Sequence, residues 1–83
     1  MKKLNMFATG VQLSYFRKDL FKITQEYLAE ILDLSVSTIQ SWEQGRRCPS
    51  LEHALALADV YGCRIDDLVI IDDDNDPDMK KAA

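Results

Sequence analysis

Between Val36 and Arg47 the chain gathers Ser37, Thr38, Gln40 and Ser41 around one apolar pair, Ile39 and Trp42. Hydroxyls and an amide on one flank of a helix-spaced segment can exchange hydrogen bonds with base edges in the wide groove of a DNA duplex. Gln40 has the donor and acceptor for a bidentate bond to adenine. Val36 has no hydrogen-bonding atom and could meet only a thymine methyl. Thr38 has the alternative of spending its hydroxyl on its own backbone. Beyond Gly45 stand Arg46 and Arg47, two cations suited to phosphate oxygens, with a plain solvated charge pair as the rival reading. Gln25 opens a preceding helical pattern, where its amide and the free N–H groups of a positive helix end can hold a phosphate oxygen. The bland alternative there is an ordinary helix-start glutamine.

These side chains need elements to hold them. Thr24 reads as an N-cap followed by the apolar stripe Leu28, Ala29, Ile31 and Leu32, which predicts a helix over about 25–32. Ser35 is a second N-cap only eleven residues later, and Ile39 with Trp42 continues at a helical interval over about 36–44. Two helices with so short a joint must cross steeply, and Ala29 is small enough to let them approach. Trp42, three residues from Ile39, faces the core rather than a base. Gly45 ends the second helix in the left-handed conformation and turns the chain beside the duplex backbone.

On the flanks, Thr9 and Gln12 form a T-x-x-Q capping box for a first helix over about 10–20, with Leu13, Phe16 and Leu20 inward. Pro49 restricts the backbone before Ser50, which caps a fourth helix with Leu51, Ala54, Leu55 and Ala58 inward and its end near Gly62. A fifth, short helix follows over about 65–69. The expected fold is all-α: a five-helix domain over 10–71, an N-terminal arm over 1–9 and an acidic tail over 72–83, disordered from about 73.

The stretch from Thr24 to Ser50 resembles the phage repressor and Cro type of helix-turn-helix, the Xre family of regulators. The matching residues run in order: Thr24-Gln25, Leu28-Ala29, Asp33-Leu34-Ser35, Ile39, Trp42-Glu43, Gly45, Arg46-Arg47 and Pro49-Ser50. The likeness covers roughly residues 10 to 69, and so many ordered matches are specific where a lone short motif is not. It implies a lambda-repressor-like fold and a regulator, most simply a repressor, that binds double-stranded DNA as a homodimer. It also implies that Gln25 touches a base or braces the reading helix, and that Glu43 pairs with a cation of the first helix. Arg17 and Lys18 are the candidates, and Arg17 is preferred because its planar fork holds a carboxylate through two bonds. Two positions depart from the pattern. Asp33 stands where glycine is usual, and tolerates the left-handed backbone better than most residues. Arg64 stands where a serine or threonine cap is usual, so Asp66 is expected to take over that cap.

Charge is distributed unevenly. The net charge is −4, yet residues 1–65 hold eight Lys or Arg against seven Asp or Glu, while residues 66–83 hold seven Asp against two Lys. Lys2, Lys3, Arg17, Lys18, Lys22, Arg46, Arg47 and Arg64 are therefore expected to make a local positive edge around the reading helix. Cys48 and Cys63, fifteen apart with no CxxC pair, read as reduced thiols rather than zinc ligands. His53 lacks a nucleophile or metal-ligand companion, so neither catalysis nor a cofactor is expected. No segment approaches the about eighteen apolar residues of a membrane helix, and the start lacks a signal-peptide core, so a cytoplasmic location is expected. An alternative function is that of an antitoxin, because TIQSWEQGRRCPS is also similar to segments of antitoxins that control their own operon. The acidic tail would then fold onto a basic toxin, or would instead mimic DNA and occupy the positive edge.

Overall fold

Five helices follow one another in the computed structural model, which describes residues 2–73. The first, α1 (Met6–Ser14), is started by Asn5, whose side-chain oxygen accepts the Ala8 N–H at 2.9 Å. It continues as a π-helical turn over Tyr15–Leu20, closed by a bond from the Phe21 N–H to the Phe16 carbonyl at 2.9 Å. Then come α2 (Gln25–Leu32), α3 (Val36–Glu43), α4 (Leu51–Tyr61) and α5 (Ile65–Leu68). Thr24, Ser35 and Ser50 cap α2, α3 and α4 by accepting the N–H three residues on, each a backbone donor that would otherwise be orphaned at a helix start.

The start of α1 corrects the sequence reading. Thr9 lies inside the helix, fully buried, and its hydroxyl oxygen accepts the Ile70 N–H at 2.9 Å. Gln12, the other half of the expected capping box, donates to the Asp67 carbonyl at 2.8 Å. The two polar residues tie α1 to the end of the chain instead of capping it. At α5 the N-cap is Arg64 itself, and Asp67, not Asp66, accepts the Arg64 N–H at 3.0 Å. Asp66 reaches only the exposed Arg64 guanidinium, at 3.4 Å.

A two-stranded antiparallel clasp, absent from the sequence reading, joins β1 (Lys2–Leu4) to β2 (Ile71–Asp73). Its register sets Lys3 opposite Asp72 and Leu4 opposite Ile71, an opposite-charge pair and an apolar pair of the kind that stabilise strand pairing. Asn5 adds a side-chain bond to Asp72 at 2.9 Å. The run Leu68-Val69-Ile70-Ile71 is thereby divided: Leu68 is core, Val69 and Ile70 are half-buried, and Ile71 sits exposed on β2. The disorder expected from about 73 onward concerns residues that, past Asp73, lie outside those described.

The core joins Leu13 of α1, Leu28 and Ala29 of α2, Ile39 and Trp42 of α3, Leu57, Ala58 and Tyr61 of α4, and Leu68 of α5. Leu20, Ile31, Leu51 and Leu55, all expected inside, are exposed, Leu51 at 72% and Leu55 at 55%. In α4 the inward set is Ala54, Leu57, Ala58 and Tyr61, which has the same i, i+3, i+4, i+7 spacing as the expected one but is rotated about the helix axis.

Tyr61 packs against Phe16 and Phe21, with ring centroids 5.5 and 4.9 Å away. The i to i+5 bond of the π turn joins the Phe21 N–H to the Phe16 carbonyl, and both rings meet one partner. Its hydroxyl is buried and has no hydrogen-bond partner among the described residues. Burial, helped by the negative charge of Glu43, pushes that phenol up to about 12. Because the folded value lies above the unfolded one, the associated stability is complete below pH 10 and is lost as pH rises toward about 12. Tyr61→Phe removes both the ionisable group and an unmet polar atom, so it should leave stability at pH 8 unchanged or raise it by about 1 kcal/mol. It should also flatten the decline between pH 10 and 12, which urea unfolding of both proteins at several pH values would read out.

Candidate nucleic-acid interface

The pair α2 and α3 is set at a fixed angle by its joint. Asp33 takes the left-handed conformation, φ 57° and ψ 49°, as the sequence reading expected of that position. Its own N–H bonds the Glu30 carbonyl at 3.2 Å, and that of Leu34 bonds the Ala29 carbonyl at 2.9 Å. Ser35 then starts α3 at once. At the other end Gly45 is left-handed, φ 76°, and the N–H groups of Arg46 and Arg47 both return to the Ser41 carbonyl, at 3.0 and 3.3 Å. This wrapped turn holds Arg46 and Arg47, both exposed, against the last turn of α3.

The outward flank of α3 is more internally engaged than its composition suggests. Ser35 gathers the hydroxyls of Ser37 and Thr38 at 3.1 and 2.9 Å, so Thr38 spends its hydroxyl on a neighbouring side chain rather than on its own backbone. Ser41 donates to the Ser37 carbonyl at 2.9 Å. Val36 is half-buried against the core and offers only part of its surface. Ser37 and Gln40 are the exposed polar residues of the flank.

Behind α3 lies a charged brace. Arg17 reaches Glu43 with two donors, Nε to Oε2 at 2.6 Å and Nη2 to Oε1 at 3.0 Å, and with a third holds the Ile23 carbonyl at 2.7 Å. Both side chains are about nine-tenths buried. The hydrogen bonds it donates to Glu43, reinforced by the carboxylate's charge, raise the Arg17 guanidinium further above its already high value. Gln25 donates to Glu43 Oε1 at 2.9 Å and accepts from Gln40 at 3.5 Å. Gln25 is thus tied to α3 at both ends of its amide; the π turn and α2 meet on the carboxylate of α3, and Arg17 adds the loop before α2 through the Ile23 carbonyl.

The chain matches the helix-turn-helix family over residues 13–68. It is 41% identical over 63 residues to an HTH-type transcriptional regulator of Methanocaldococcus jannaschii, a match covering 76% of this chain and 94% of that protein. It is also 41% identical over 54 residues to an HTH-type transcriptional regulator of Archaeoglobus fulgidus, covering 65% and 77% of the two chains. Among solved structures it resembles the restriction-modification controller protein C.AhdI from Aeromonas hydrophila, with a TM-score of 0.68 and 27% identity over 76% of this chain and 94% of that one. This chain is a member of the lambda-repressor-like helix-turn-helix family.

Within the helix-turn-helix frame, the expected positive edge is redistributed. Arg17 is consumed in the buried brace, Arg64 faces Asp66, and Lys2 and Lys3 lie on β1 opposite Asp73 and Asp72. Lys18, Lys22, Arg46 and Arg47 are exposed and have no carboxylate partner among the described residues. Lys22 adopts a positive φ of 54° just before α2, a backbone state that nothing in the sequence signals. Among the described residues no group of His, Cys, Asp and Glu is placed to hold a metal ion. Burial pushes both the Cys48 and Cys63 thiols up, which disfavours the reactive thiolate. His53, half-buried, bonds the hydroxyl of the capping Ser50 at 3.2 Å and packs on Trp42.

Proposed function

We infer that this DNA-binding transcriptional regulator reads an operator with α3 in the major groove and represses transcription from it. Its family is one of regulators, not of enzymes. The observation that carries the reading is the joint geometry: two capped helices locked at Asp33, one exposed flank carrying Ser37 and Gln40, and a turn that fixes Arg46 and Arg47 beside it. In this reading Val36, Ser37, Thr38, Gln40 and Ser41 line the groove. Gln25 braces α3 while the N-terminal end of α2 faces a phosphate, and the arginines anchor the backbone. The reading unit runs from α1 to α5 and includes the clasp of β1 with β2, and the regulator works in the cytoplasm.

One chain offers few cations, so a homodimer on an inverted repeat is part of the proposal. Two-fold symmetry would set two α3 helices about 34 Å apart and double the phosphate contacts. The exposed apolar stripe of Phe7 and Val11 on α1 and Tyr15 at the start of the π turn favours a second reading, an antitoxin whose further surface holds a protein partner. Selection of bound sequences from random duplex DNA tests the first reading, because a regulator must enrich a defined site. On that site Arg46→Ala combined with Arg47→Ala should weaken binding at least about tenfold for all sequences alike, and make the salt dependence shallower by about one unit per arginine. Unchanged salt dependence would refute the anchoring role.

A further inference from the structure

Glu43 belongs to the brace, yet its chemistry reaches the reading face. A carboxylate only accepts hydrogen bonds, and Glu43 Oε1 already receives one from Arg17. The Gln25 amide beside it must therefore point its nitrogen at Glu43, because the reversed amide would set two acceptors face to face. With Nε2 turned to Glu43, at 2.9 Å, Gln25 turns its oxygen toward Gln40. Gln40 meets that oxygen with its own Nε2, at 3.5 Å, and its carbonyl oxygen and second N–H remain for an outside partner. The bond is long, so its polarity rather than its strength is what matters.

We propose that Glu43, acting through Gln25, fixes the Gln40 amide with its carbonyl oxygen available to the groove, and so makes Gln40 a reader of adenine in preference to guanine. This rests on α3 being the reading helix. Adenine presents an N6 donor and an N7 acceptor, which match an amide oxygen and an N–H; guanine presents two acceptors, O6 and N7, and sets O6 against the amide oxygen. An amide free to turn round could offer its NH2 to guanine instead. Glu43 and Gln25 are positioning residues here, and of these three side chains Gln40 is the one that touches the base.

The test compares wild type, Gln40→Ala and Gln25→Met on libraries of duplex DNA, with folding checked by circular dichroism. Methionine keeps the length and helix propensity of glutamine but has no amide to impose a polarity. The base pair at which Gln40→Ala loses discrimination identifies the position that Gln40 reads. There the wild type should prefer adenine over guanine by about tenfold or more, and Gln25→Met should reduce that ratio below about threefold by admitting guanine. A phosphate held by Gln25 would, on its release, lower affinity for every sequence alike and leave the ratio untouched. Glu43→Gln, whose amide can present either end, should admit guanine in the same way, measured at a temperature where it is folded.

If Gln25→Met keeps the wild-type ratio, the inference is overturned while the DNA-reading function stands. The same holds if Gln40→Ala relaxes no base pair. If the wild type enriches no sequence at all, the function proposed above fails, and this inference fails with it.

Discussion

Glu43→Ala is expected to lower the unfolding free energy by about 3–5 kcal/mol, the usual consequence of removing one partner from a desolvated ion pair. For a domain of this size that corresponds to a fall in Tm of well over 10 °C. The Arg17 guanidinium would stay in place, about nine-tenths buried, with the Ile23 carbonyl as its one remaining bond in the brace, and the Gln25 amide would lose its acceptor. Replacing both members, as Arg17→Met with Glu43→Leu, should recover much of the loss, since a buried pair adds little over well-packed apolar groups. Thermal melts of the two single variants and the double variant form a cycle. A single variant that melts within about 3 °C of wild type would mean that water already solvates the pair, and the brace would then carry little of the α1 to α3 coupling.

How far the molecule was legible in its sequence depends on how many independent signals bear on each element. Both ends of α2, and the start of α3, are marked by local chemistry: Thr24 and Ser35 are capping residues, and Asp33 is one of the few non-glycine types that accept a left-handed backbone. Those boundaries follow from the chain alone. The start of α1 has two competing caps, Asn5 and Thr9, and the T-x-x-Q pattern favours the wrong one. What decides between them is a partner 61 residues away, the Ile70 N–H that occupies the Thr9 hydroxyl. In α4 the stripe Leu51, Ala54, Leu55, Ala58 and the stripe Ala54, Leu57, Ala58, Tyr61 share their alanines, so periodicity cannot rank them. Packing against α3 and α5 selects the second. The clasp of β1 with β2 is beyond sequence pattern, because strands of three residues show no alternation and their partners lie at opposite ends of the chain.

The same distinction applies to the reading surface. Composition names the polar residues of α3, but not how they are divided between solvent and the protein. Ser35 takes up Ser37 and Thr38, Ser41 turns to its own helix, and Gln40 faces a neighbour whose polarity is set from behind by a carboxylate. The spacing of Arg17 and Glu43, 26 residues apart, shows nothing of this by itself. The family resemblance supplied the pair, and the three donors of Arg17 supply the reason it can lock three segments together.

Gly10 is where the largest effect of a single added side chain is expected. In an ordinary helix interior glycine costs about 1 kcal/mol relative to alanine, so propensity alone favours replacing it. Here α1 crosses the end of α3 so closely that a Cβ at position 10 would lie 2.5 Å from the Trp42 carbonyl oxygen and 2.7 Å from that of Glu43. Both are backbone atoms of α3 and cannot swing aside as a side chain could. Overpacking of about 1–3 kcal/mol or more therefore outweighs the gain in propensity. Gly10→Ala should be destabilising on balance, and Gly10→Val, with two further methyls and a poorer helix propensity, should lose about 3 kcal/mol or more. Since the displaced atoms include the Glu43 backbone, the fraction that still folds should also bind duplex DNA less tightly, because the brace can no longer seat Gln25 and Gln40. Val11→Ala, on the outward side of the same helix, is the control that should change little. Urea unfolding with DNA titration decides the matter. A Gly10→Ala protein as stable as wild type would mean that α1 and α3 can separate at no cost, and that α3 is positioned by its joint at Asp33 alone.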